Sequence, residues 1–282
     1  MFIDFLKRFF KKKDKPNQEK TIQQNKNYNF NRLKKEGNIY SFTGTVSFER
    51  KHCLKQSTID DVFNFAYDMA YTDKGHHRNH RSGGEKRRRN GEIFSNTFQG
   101  KLAECAACNF FCKYDETIRP DFSVEGVGEW DSVDLSVLGK EIAIKSTKHF
   151  GQLLLLETKD WDNKGRYIPN LKKGTAKYDY IILVRITPSC EDLMKSKRWL
   201  YSDEVNRTNL EELVKKENWC YDYAGYITYD EFLYIINKKY VLPKGAWLNG
   251  KTKMDAENYY VQAYNMKKLD TIFEKEEKAD VL

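Results

Sequence analysis

The sequence predicts an α/β fold, a mixed central β-sheet flanked by helices, and three stretches carry that expectation. In IFSNTFQGKLAECAACNFFCKY, Phe94, Phe98, Leu102 and Cys105 recur at helical spacing and form an apolar stripe. GEWDSVDLSVLGKEIAIKST, residues 128 to 147, alternates as a β-hairpin does. YDYIILVRITP is apolar almost without interruption, like a strand buried on both faces.

The composition bounds the function. With 282 residues the chain can build one large domain with additions, or two small ones. Hydrophobic content of 40% and charge of 32% describe a soluble globular protein, and an aromatic share of 14% argues against extensive disorder. A net charge of +8 favours polyanionic partners over acidic ones. Six cysteines lack the spacing of a disulfide framework and follow no secretory signal, so a reducing cytoplasm is expected. Cys105, Cys108 and Cys112 share one helical stripe and lack a fourth ligand, which makes them small buried hydrophobes rather than metal ligands.

Taken in order, MFIDFLKRFFKKK is too short to span a bilayer and reads as a tail, with an amphipathic surface anchor as the alternative. No stable membrane partner is expected. Residues 1 to 37 form a basic tail and linker, 38 to 195 a core, and 196 to 282 an extension able to read bases. IYSFTGTVSFER looks like a strand or hairpin, and Thr58 with Asp61 marks a capping box for the next helix. Residues 72 to 92 combine Arg78, Arg81, Lys86, Arg87, Arg88 and Arg89 with three histidines and four glycines. Such a loop suits a clamp on phosphates, and a solvated basic loop is the plain alternative. A histidine metal site at His76, His77 and His80 is a minority reading. GQLLLLETKDW is a further strand, NLEELVKKEN a helix, and Thr228 with Glu231 caps a helix entered from a strand.

In the hairpin, a turn centred on Gly139-Lys140 sets Asp134 opposite Lys145, on one face of the sheet. Glu104 rides the preceding helix with small neighbours around it. This order of helix-borne Glu104 in GKLAE, Asp134 in WDSVDLSV and Lys145 in IAIKS resembles the PD-(D/E)xK phosphodiesterase superfamily, the restriction-endonuclease-like nucleases, over roughly residues 92 to 188.

The resemblance implies a Mg²⁺-dependent DNA endonuclease of restriction type, with Mn²⁺ as a substitute metal. Asp134 would be a metal ligand, Lys145 the group that positions the water, and Glu104 the carboxylate from the helix. It also implies duplex DNA as substrate, a homodimer and a separate methyltransferase. A structure-selective repair nuclease, or a DNA-binding protein weakened in catalysis, are the alternatives.

The departure is Ala143, where the family pattern carries an acid. Glu104 and Glu157 are the expected replacements, both as metal ligands. Glu141 shares the strand face but reads as too remote, and a shifted site on Glu157-Thr158-Lys159 is the rival. Pro120-Asp121 reads as a loop and Asp131 as a strand-entry polar group. Lys148, with Ser146, Thr147 and His149, reads as a phosphate-contacting strand end or a solvated one.

Overall fold

The computed structural model describes residues 28–72, 88–123, 134–174 and 176–273. Within them, five helices and three sheets of mixed strand direction make an α/β fold. The central sheet has the order β3-β8-β7-β5-β4: β3 (His52–Cys53), β8 (Cys220–Thr228), β7 (Tyr180–Thr187), β5 (Lys140–Lys148) and β4 (Leu135–Val137). β5 and β7 are parallel, and the other neighbours are antiparallel. The apolar run at 180–187 therefore sits mid-sheet, and six of its eight residues are buried.

Alternation along β5 separates two cores. Ile142 and Ile144 face the first, with α1 (Gln56–Tyr71), α2 (Asn90–Phe111), α3 (Cys190–Ser196) and α4 (Arg207–Lys215). Ala143 faces the second, under a three-stranded sheet of β6 (Leu153–Glu157), β12 (Asn258–Gln262) and β9 (Val241–Leu242) and the helix α5 (Tyr229–Asn237). A small sheet joins β1 (Lys34–Glu36) and β2 (Ile39–Ser41) to β10 (Trp247–Leu248) and β11 (Thr252–Lys253).

These pairings redraw the expected boundaries. Residues 196–273 supply β8 to the central sheet rather than forming an extension beside it. Leu33, expected in the linker, is buried in the second core. Only Ile39–Ser41 of IYSFTGTVSFER is a strand. α1 begins at Gln56, two residues before the expected cap at Thr58, and Lys55 caps it without a side-chain bond. The capping box of α5 is present: Glu231 N donates to Thr228 Oγ1 at 3.3 Å, and Thr228 N donates to Glu231 Oε2 at 2.8 Å.

The cysteines divide. Cys53 and Cys220 face each other across β3 and β8 and form a disulfide, a pair 167 residues apart that sequence spacing did not signal. Cys105 and Cys108 are buried as expected, and Cys112 is exposed. Burial pushes both buried thiols up to about 12, so neither supplies a thiolate at neutral pH. No helix among the described residues is long and apolar enough to cross a membrane.

The β4–β5 turn is Leu138-Gly139, with φ of 50° and 72°. Positive φ at both central residues is the type I′ hairpin turn, which favours Asn-Gly. Leucine in the left-handed region is strained by its Cβ, and Leu138 is exposed. Leu138→Asn should therefore raise stability by about 1 kcal/mol, read from a urea midpoint. An unchanged or lower midpoint would speak against this turn and its register.

Candidate active site

The turn fixes the register of the hairpin. Val137 pairs with Lys140, Ser136 with Glu141 and Leu135 with Ile142, so the next step sets Asp134 opposite Ala143 rather than opposite Lys145. The expected register was two residues out. Because strand faces alternate with period 2, Asp134, Glu141 and Lys145 still share one face, that of the second core. Asp134 now lies between the other two, with each a diagonal neighbour at about 7–8 Å. Glu141, read from sequence as too remote, is as near to Asp134 along the ladder as Lys145 is.

Asp134 immediately precedes β4, and its Oδ2 accepts the backbone N–H of Ile144 at 2.7 Å. Its carboxylate thus replaces the carbonyl that a longer β4 would have offered. Oδ1 has no hydrogen-bond partner among the described residues. The main chain of Glu141 is tied to Asp179: Glu141 N donates to Asp179 Oδ2 at 3.0 Å, and Asp179 N donates to Glu141 O at 2.7 Å. Its side-chain Oε1 accepts a long bond from Ser136 Oγ at 3.4 Å. Oε2 is shielded from solvent and has no hydrogen-bond partner among the described residues. Burial pushes the Tyr178 phenol up, and the Asp134 carboxylate, Tyr167 and Glu141 push it further, so both acids act on one neighbour.

Lys145 sits beside Leu183 of β7 and is half-buried. Its ammonium makes no hydrogen bond, ion pair or ring contact among the described residues. It shares the strand face with two carboxylates and forms no ion pair with either.

The other expected residues separate. α2 packs on the opposite face, against Ile142 and Ile144, so the sheet stands between Glu104 and Lys145. Glu104 is paired there with the buried Lys101, whose Nζ also donates to Asp121 O at 2.7 Å. That bond ties the Pro120-Asp121 loop to α2, and Asp121 itself accepts from Ser123 N at 2.7 Å. The expectation that Glu104 joins Asp134 and Lys145 is corrected by this placement.

Glu157 ends β6 opposite Asn258, in the sheet covering the Asp134 face, and its Oε2 lies 4.0 Å from Lys159 Nζ. Thr158 and Lys159 continue into a 3₁₀ turn rather than along the strand.

Of the expected phosphate clamp, Arg78, Arg81, Lys86 and Arg87, with the three histidines, lie outside the described residues, as do Asp131 and residues 1–27. Arg89 is the N-cap of α2 and pairs with Asp203. Lys148 is held by Asp192 at 2.8 Å and Glu191 at 3.3 Å, at the start of α3. Both cations are thus partly neutralised within the protein, contrary to the expectation of open phosphate contacts.

A hard divalent cation takes oxygen ligands, and the orphaned Oε2 of Glu141, on the strand face it shares with Asp134, is a donor of that type. Among the described residues, no group of three or more His, Cys, Asp or Glu side chains is arranged to hold a metal. Comparisons of the chain with protein-family models, with curated proteins and with solved structures find no match.

Proposed function

We propose that the protein is a Mg²⁺-dependent DNA endonuclease that hydrolyses phosphodiester bonds at the β4–β5 face. The observation that carries the reading is the unpartnered Lys145 ammonium on one strand face with Asp134 and Glu141, the latter with an orphaned oxygen. Asp134 and Glu141 would hold the metal, with Mn²⁺ as a substitute. When bound, it would supply charge neutralisation at the phosphate and a more acidic water. Lys145 would bind a phosphate oxygen and orient the attacking water, and its charge would offset that developing at phosphorus.

In this reading Glu141 takes the part that Ala143 leaves empty, and Glu104 holds α2 and its loop together. Restriction-type cutting, a homodimer and a separate methyltransferase belong to the same proposal, as does a cytoplasmic setting, against which the Cys53–Cys220 disulfide weighs. The test is incubation of the protein with mixed genomic DNA and Mg²⁺. Discrete fragments would support sequence-specific cutting, and a smear a structure-selective or repair nuclease. Salt-dependent binding without any cutting would favour a DNA-binding protein on the same scaffold.

Asp134 carries two roles that two variants can divide. Asp134→Asn keeps an oxygen for Ile144 N but loses the charge, so cleavage should fall at least about a hundredfold with stability nearly unchanged. Asp134→Ala should lose cleavage equally and cost about 1–2 kcal/mol more, because the Ile144 amide is left without its acceptor. Equal stability of the two variants would remove the structural role.

A further inference from the structure

At the sheet edge opposite β4, a cleft of about 700 Å³ opens beside β8. It exists because β3 is only two residues long. β3 covers Cys220 and Tyr221, and the next outer contact of β8 is the bridge from Tyr226 to Lys267. Between them, Asp222–Ala224 line the cleft, and their outer edge has no strand partner among the described residues. The gap is closed at both ends and distorted by a bulge opposite Leu183/Val184, with Gly225 at φ 142°. An extended peptide could not run along it as an added strand.

The walls are aromatic. His52 stacks on Tyr221 with centroids 5.6 Å apart at 23°, and Phe110 meets Tyr223 edge-on at 5.4 Å. Asn109 Nδ2 donates to the Tyr221 hydroxyl at 3.2 Å, which leaves the amide oxygen able to accept.

The rim is basic. Of its acids, Glu49 is paired with Lys51 and Asp222 with Arg185; Lys113 and Lys268 also line the opening, with Asp270 there and Glu49 acting on Lys268 through space. Lys113 Nζ stands 4.0 Å above the Phe110 ring.

A π-surface, two cations and an amide acceptor match a flat heteroaromatic base attached to a phosphate. The geometry points to this cleft as a binding subsite for a single unstacked nucleotide, with the base against the Phe110–Tyr223 wall and the phosphate at Lys113 and Lys268. It goes beyond the nuclease reading and does not need it, since the cleft and the β4–β5 face are at opposite edges of the sheet.

The test is equilibrium binding in EDTA, read by 2-aminopurine fluorescence. The probes are 2-aminopurine deoxyribonucleoside monophosphate, a single-stranded hexanucleotide containing that base, and the same hexamer as a duplex. Saturable binding of the monophosphate would mark a free nucleotide as the ligand, and binding of the single strand alone would mark a base within a strand.

Phe110→Leu, which keeps apolar packing but removes the ring, should weaken binding about tenfold. Lys113→Ala with Lys268→Ala should do so as well and should flatten the salt dependence of single-strand binding by about 1.4 log units per decade. Unchanged melting temperatures would show that each variant folds. Binding of the duplex alone, binding of none of the probes, or folded variants that bind as the wild type does would overturn the subsite. Cleavage without nucleotide binding would sink this inference alone, and nucleotide binding without cleavage would sink the nuclease reading alone.

Discussion

Replacing Lys145 by alanine should lower Mg²⁺-dependent cleavage of duplex DNA by about 10²–10⁴-fold, the usual worth of a positioned proton-transfer or charge-stabilising group. Stability should not fall. The ammonium makes no hydrogen bond or ion pair among the described residues, so its loss removes desolvation cost and breaks no partnership. Stability, read from the urea midpoint, should be unchanged or higher by up to about 1 kcal/mol. This combination separates the site from a structural ion pair, whose removal would lower stability and leave cleavage alone. Lys145→Arg should recover little, because a planar fork does not replace a compact ammonium beside a phosphate. Cleavage that survives Lys145→Ala unchanged would remove the lysine from the chemistry.

Arg185→Met is expected to have the largest effect on folding, about 3–5 kcal/mol of destabilisation. Arg185 is 1% exposed on the central strand β7. It donates Nε to Asp222 Oδ1 at 2.8 Å and Nη2 to Oδ2 at 2.6 Å, a bidentate pair. Its remaining donors reach Val46 O at 2.6 Å and Ser47 O at 2.9 Å, and so hold the segment leading into β3. Methionine fills the volume but leaves Asp222 buried, with the Glu49 amide at 2.8 Å still donating to it. An uncompensated buried carboxylate accounts for most of the cost. The double variant Arg185→Met/Asp222→Leu should recover much of it, and a double-mutant cycle in denaturant measures the coupling. A single-variant loss under about 1 kcal/mol would contradict this account of the pair.

The elements were more legible in the sequence than their mutual placement. Period and run length identify α2, β5 and β7, and the Thr228–Glu231 capping box appears in the structure as its residues imply. The hairpin register was not legible. Leu138 adopts a positive φ that its chemistry disfavours, so nothing in the residues marks Leu138-Gly139 as the turn.

That two-residue shift is what brings Glu141 beside Asp134. The stripe on α2 announces a core face but not which side of the sheet the helix covers. Glu104 could therefore be assigned to the site on order alone, and the packing sets it across the sheet. Lys148 and Arg89 read as free cations because their partners, Asp192 and Asp203, lie 44 and 114 residues further along the chain.

The central claim is that one strand face, carrying Asp134, Glu141 and Lys145, cuts DNA, with Glu104 outside it. Its most direct test compares Mg²⁺-dependent cleavage of mixed duplex DNA by the wild type, Glu141→Gln and Glu104→Gln. The expected result is cleavage by the wild type and by any folded Glu104→Gln, and a loss of at least about a hundredfold in Glu141→Gln. Cleavage lost in Glu104→Gln but kept in Glu141→Gln, or no cleavage by the wild type, would contradict it.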